Sequence, residues 1–131
     1  MVDTNILLSA SVFPNKRMDN IIEFIVRHHT IVLSDIVIEE FLEVTDYEKF
    51  NKQNEAREFL KRLSFKEYKT PKITPLKNVS IRDADDYGIL FSAIKSDVDI
   101  FLTRDKDFIE CGVTRPRMMT LNDFVAEFMQ E

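Results

Sequence analysis

Apolar runs of only four or five residues alternate along this chain with longer stretches whose apolar residues recur at helical spacing. That alternation restricts the fold more than any other feature. Strands separated by helices cannot form a meander of hairpins; they pair in parallel, each return being made by the intervening helix. Residues 17–28 carry Ile21, Ile22, Phe24 and Ile25 at helical spacing, and residues 30–33 then read as a strand. Ser34 and Asp35 can cap a helix over 36–45, and a further helical pattern runs over 48–63. Pro71 and Pro75 break up an extended connection. A helix over 83–96, a strand over 98–102, a helical turn over 105–109, a strand around 118–121 and a helix over 122–129 complete the pattern. The expectation is a three-layer α/β/α architecture, with a central parallel sheet flanked by helices, in a single domain over 1–131.

Composition removes several function classes. The chain has 131 residues, and no apolar run approaches the roughly 18 needed to span a bilayer. Its start lacks the basic flank and cleavage site of a secretory signal, and Cys111 is the lone cysteine, so a cytoplasmic location is expected. With only Gly88 and Gly112, no glycine-rich phosphate loop can be written. His28, His29 and one cysteine cannot supply a structural zinc site, so any metal must be held by oxygen.

The net charge of −5 conceals a segregation. Residues 49–77 hold nine basic side chains against three acids, a balance of +6 that leaves −11 for the rest of the chain. One reading is a solvated helix face followed by a basic loop. The other is a phosphate-steering arm beside an acidic reaction centre.

In an open parallel sheet, function gathers at the carboxyl ends of the strands. Asp3 follows the first strand, and Asp105 and Asp107 follow the strand over 98–102. Each taken alone reads as a cap or turn residue; their recurrence at equivalent places argues for more. Rotation at about 100° per residue aims Glu40 nearest the core, with Glu39 and Glu43 to the polar side. The same rotation turns Asp83 and Asp86 inward and Asp85 outward. Two unit charges about 4 Å apart repel by roughly 4 kcal/mol at an effective dielectric of 20, so such acids take up protons or bind a hard cation. An acid cluster, a hard cation and a basic arm together suggest a nuclease.

These residues resemble the PIN-domain ribonucleases, many of them VapC-like toxins of toxin–antitoxin pairs. Asp3-Thr4-Asn5 resembles the family's opening D-T-N, and SDIVIEEF over 34–41 is similar to its S-x-x-x-x-x-E-[LF] block, which selects Glu40 as rotation does. RDADDYGILFSA over 82–93 resembles the D-x-D-D…A stretch with Asp86 as the site acid, and TRDKDF over 103–108 resembles T-x-D-x-D-[LF] with Asp105 and, secondarily, Asp107. The resemblance implies a metal-dependent endonuclease for single-stranded RNA. Asp3, Glu40, Asp86 and Asp105 would hold one or two Mg²⁺ or Mn²⁺ ions, with Asp83 and Asp107 in support. Asn5 and Thr103 would orient the carboxylates, and Ser34 either does so or simply caps its helix. Lys49, Lys52, Arg57, Lys61, Arg62 and Arg104 are the candidate RNA contacts. A homodimer and a covering antitoxin are the partners the resemblance implies.

Two departures from the family pattern stand out. The family's first strand runs several residues before its aspartate, whereas only Met1 and Val2 stand before Asp3, so Asp3 is expected on a fraying end. The usual T-[GN]-D is here T-R-D, which puts Arg104 beside the site acid. Two other readings compete: a degenerate PIN-like module that binds RNA without cutting it, and a Mg²⁺-dependent aspartyl phosphotransfer domain. Against the second, Asp3-Thr4-Asn5 lacks the second aspartate of a D-x-D-x-T loop.

Overall fold

The structure is a computed structural model that describes residues 1–47 and 49–130. The elements run α1 (Thr4–Ser11), α2 (Lys16–His28), β1 (Val32–Ser34), α3 (Asp35–Asp46), α4 (Gln53–Arg62) and β2 (Lys66–Tyr68). They continue as α5 (Ala84–Lys95), β3 (Ile100–Leu102), α6 (Lys106–Ile109), β4 (Arg117–Met119) and α7 (Leu121–Phe128). Strand pairing is parallel throughout: β1 lies on β2 with Val32 beside Lys66, and β3 lies on β4 with Ile100 beside Arg117. Residues 1–3 add a short third track to the second pair. The Leu102 N–H donates to the Met1 carbonyl at 2.9 Å and the Asp3 N–H to the Leu102 carbonyl at 2.9 Å.

Most helices begin where a short polar side chain satisfies the free N–H groups of the first turn. Asn15 Oδ1 accepts from Met18 N–H, Ser34 Oγ from Val37 N–H, and Thr120 forms a reciprocal capping box with Asp123. The apolar stripes then face a shared core. On α2 these are Met18, Ile21 and Ile25; on α3, Val37 and Phe41, followed by Thr45, whose hydroxyl is satisfied by the Phe41 carbonyl at 2.8 Å. Helix α5 is buried at every residue from 88 to 93, as expected of a helix with few charges around its middle.

The parallel α/β expectation holds, with five corrections. The expected single central sheet is divided, among the described residues, into two two-stranded parallel pairs, with residues 1–3 lying along β3. That terminus does not fray: Met1 and Asp3 are buried, and the Met1 amino group donates to the Ile100 carbonyl at 2.7 Å. The connection after α4 contains the strand β2, and α1 forms where no helix was read. The helix expected over 48–63 is observed over Gln53–Arg62, and residue 48 lies outside the described residues.

Phe41 is fully buried and meets Phe59 edge-on at 6.5 Å between ring centroids. Phe41→Ala is expected to cost about 3–5 kcal/mol in urea unfolding. Breaking the exposed Arg27–Glu23 ion pair with Arg27→Ala is expected to cost under about 0.5 kcal/mol. Equal costs would show that the core assigned to α3 is wrong.

Candidate active site

Asp3 caps α1 from the end of its short strand, with its Oδ1 accepting from Thr4 N–H at 2.7 Å. Its other oxygen, Oδ2, accepts from the Thr103 hydroxyl at 2.8 Å. That hydroxyl in turn accepts from Asp105 N–H at 2.9 Å, so one buried threonine ties together two acids from opposite ends of the chain. Asp105 caps α6, accepting from Asp107 N–H. Among the described residues, Asp86, Asp105 and Asp107 are the acids whose oxygens all come within 4.8 Å of one another.

Charge and burial work against ionisation here. Asp3, only 3% exposed, is pushed up to about 6, chiefly by burial. The hydrogen bonds from Thr103 and Thr4 oppose that rise, while the charges of Glu40 and Asp105 add to it. Asp86 is also pushed up to about 6, first by burial and then by repulsion from Asp83, Asp105, Asp3 and Glu40. The acids separated widely in sequence therefore act on one another electrostatically. The buried Met1 amino group is pushed the other way, down to about 5, by desolvation against the pull of Asp99.

The remaining expected residues fall into place unevenly. Glu40 is half-buried on α3 while Glu39 and Glu43 are exposed; Asp86 is half-buried on α5 while Asp85 is exposed. Asp83, expected inward, is the exposed N-cap of α5, and its Oδ1 accepts from Asp85 and Asp86 N–H; the helix starts one residue later than the rotation assumed. Ser34 is a buried N-cap. Asn5, expected to orient a carboxylate, is exposed: Thr4, Ile6 and Leu7 take the buried face of α1, and rotation turns position 5 outward. Lys49, Lys52, Arg57, Lys61, Arg62 and Arg104 are all exposed, with Lys61 paired to Glu58 at 3.2 Å.

Two clamps were not read from the sequence. The Tyr87 hydroxyl accepts from Leu76 N–H at 2.6 Å and donates to the Thr74 carbonyl at 2.9 Å. The Asp35 carboxylate accepts from the Thr70 hydroxyl at 2.6 Å and from Thr70 N–H. Together they pin the connection bearing Lys72 and Lys77 to the starts of α3 and α5. Neither has a local signal, because each joins residues brought together only by the fold.

The sequence profile of the PIN domain matches residues 1–107. The chain belongs to the PIN-domain family. Its fold is similar to that of a chain from the VapBC2 complex of Rickettsia felis, which was solved bound to a DNA fragment from the promoter. The TM-score is 0.66 at 17% identity, over 92% of this chain and 95% of that one. No curated protein matches the chain with significance. Membership of the PIN family points to a nuclease role.

Thr103→Val tests the link between Asp3 and Asp105. The variant strips Asp3 of its hydroxyl donor and Asp105 N–H of its acceptor, at a cost of about 1–3 kcal/mol. Followed by NMR, Asp3 is expected to titrate near 6 in the parent and higher in the variant, since the lost bond favoured the charged form. The raised value fixes the sign of the linkage. The stability Asp3 contributes as a neutral acid is whole below its ordinary value of 3.8 and is lost as pH rises through about 6. An unmoved Asp3 titration in the variant would refute the link.

Proposed function

We propose that this PIN domain is a divalent-cation-dependent endoribonuclease that cuts single-stranded RNA in the cytoplasm, as the toxin of a toxin–antitoxin pair. The observation that carries the reading is the convergence of the Asp86, Asp105 and Asp107 oxygens within 4.8 Å. Three carboxylates without an imidazole or thiolate among them suit Mg²⁺ or Mn²⁺, and their partial exposure leaves room for the waters such ions retain. Asp86 and Asp105 would hold the ion, with Asp3 and Glu40 completing the site directly or through water, and Asp83 and Asp107 in support. A bound cation supplies relief of the carboxylate repulsion, an acidified water and neutralisation of charge developing on the phosphate.

The chain's own residues do the rest. The Asp86 carboxyl, pushed up to about 6 by burial and by the neighbouring acids, would be held in its charged form by the cation it helps to bind. Thr103 fixes the direction of Asp3. Arg104, exposed beside Asp105, is placed in sequence to meet a phosphate. Helix α4 packs on α3, the helix bearing Glu40, so Lys52, Arg57, Lys61 and Arg62 with nearby Lys49 form a basic flank for the RNA backbone. Removing the six site acids from the count turns −5 into +1, so a polyanion meets little repulsion outside the site itself.

An antitoxin is proposed as the partner that covers the acids, in keeping with the complexed state of the Rickettsia felis relative. A homodimer is proposed as well, and Phe13 and Tyr47, 59% and 57% exposed, supply apolar surface for either contact.

Mn²⁺-dependent cleavage of single-stranded RNA is expected, abolished by EDTA. Asp86→Asn and Asp105→Asn are each expected to lower the rate by about 100-fold or more. The melting temperature should hold or rise, because each change removes like-charge repulsion. Cleavage that persists in EDTA would overturn the metal mechanism. RNA affinity without cleavage would favour the degenerate binding module, and labelling of one aspartate by acetyl phosphate would favour phosphotransfer.

A further inference from the structure

The connection from β2 to α5 carries charge of one sign. Residues 69–82 hold Lys69, Lys72, Lys77 and Arg82 and no acid, and all four bases are exposed. Among the described residues, none of the four pairs with a carboxylate. Two of the α4 bases are engaged by contrast, Lys61 with the Glu58 carboxylate at 3.2 Å and Arg62 with the Glu58 carbonyl at 3.4 Å.

This strap has no regular secondary structure, yet it is tied down along its length. At its start the Asp35 carboxylate accepts from Thr70 N–H at 3.2 Å and from the Thr70 hydroxyl at 2.6 Å. In its middle the Tyr87 hydroxyl bridges the Leu76 N–H and the Thr74 carbonyl. A Cβ on Gly88 would lie 3.5 Å from both the Ile36 and Ile73 side chains, so Ile73 rests where α5 has no side chain of its own. Towards its end Ser80 N–H donates to the Cys111 carbonyl at 3.0 Å. Ordering an exposed segment costs backbone entropy, and the unpaired bases recover none of it in the free protein.

The anchors stand beside the acids. Asp35 begins α3, which carries Glu40; Tyr87 follows Asp86 on α5; Cys111 comes just after α6, which carries Asp107. The last base of the strap borders the acid group itself. Arg82 and Asp107 line one cleft of about 330 Å³ with Ser80, Ile81 and Glu110, and Asp107 is one of the three acids whose oxygens come within 4.8 Å.

We propose that residues 69–82 form a fixed phosphate track, along which Lys72, Lys77 and Arg82 hold the backbone of an RNA single strand and lead it to Asp86, Asp105 and Asp107. The inference rests on single-stranded RNA being the substrate. Positive charge held beside a concentration of acids, without being neutralised by them, suits a polyanion that must approach those acids. A single line of cations suits one backbone, whereas a duplex offers two.

The test measures binding of an oligouridine of about 15 nucleotides in EDTA, so that affinity is read apart from cleavage. Lys72→Gln, Lys77→Gln and Arg82→Gln together are expected to weaken binding by about tenfold or more at about 0.1 M salt. They should also reduce the slope of log Kd against log salt by about 2, at about 0.7 for each phosphate of a single strand. Lys16→Gln, Arg17→Gln and Arg27→Gln remove the same charge from exposed positions of α2 and should change affinity by less than about twofold. Tyr87→Phe keeps every base but frees the middle of the strap. It should weaken binding by about threefold at an unchanged salt slope, because the track must then be ordered on binding. Equal losses from the two triple variants, or an unmoved affinity in Tyr87→Phe, would overturn the track and leave the cleavage reaction standing. Strap-dependent binding without Mn²⁺-dependent cleavage would support the track and refute the nuclease. Tighter strap-dependent binding of duplex DNA, or no binding of RNA by the parent chain, would overturn the track as well.

Discussion

The buried corner of the acidic site depends on residues 1–3 lying along β3. That pairing carries Asp3 to the carboxyl end of the strand, where Asp3 N–H meets Leu102 and the Asp3 carboxylate meets Thr103, the next residue on. The Thr103 hydroxyl then accepts from Asp105 N–H, so the backbone ladder continues without a break into a chain of side-chain bonds. A carboxylate 3% exposed is costly to ionise. Here the cost is offset by two donors on different oxygens, and the residual strain appears as the raised titration of Asp3.

Capping and catalysis are not rival explanations for these acids. Asp3, Asp83 and Asp105 each cap a helix, α1, α5 and α6 respectively. The chain thus brings helix N-termini to the place where its negative charge is concentrated, and the positive ends of their dipoles moderate the repulsion. Asp86 and Asp107, in the first turns of α5 and α6, share that benefit; Glu40, in the interior of α3, does not. A cap explains why an aspartate begins each of these helices. It does not explain why three such starts are folded together, or why Asp86 feels four other acids at once.

Much of this was legible in the sequence because it is local. Helical spacing located α2, α3, α5 and α7 to within a residue or two at either end, and rotation separated half-buried Glu40 from exposed Glu39, and Asp86 from Asp85. What was missed is non-local or depends on one residue of phase. Strand β2 reads Lys-Glu-Tyr, with no apolar signal, and exists because it lies along β1. Helix α1 hides in a mostly apolar stretch too uniform to show a period. Asp83 was misjudged because a cap stands outside the helical wheel, and Asn5 because a motif records which residues occur together without saying which way each side chain faces. The Tyr87 and Asp35 clamps span loops that no periodicity describes.

The divided sheet bears on the acids as well as on stability. In a doubly covered parallel sheet the central strand is held from both sides, and a residue at its carboxyl end is positioned by two ladders. Here Asp3 is positioned by one, through pairing that begins at Met1 and ends two residues later. Rotation of that short segment about β3 is resisted by the packing of Met1 and Val2, by the Thr103 bond and by the start of α1, whose first N–H groups donate to Asp3. A carboxylate that must stay within a fraction of an ångström of a ligating position needs its supporting shell rigid.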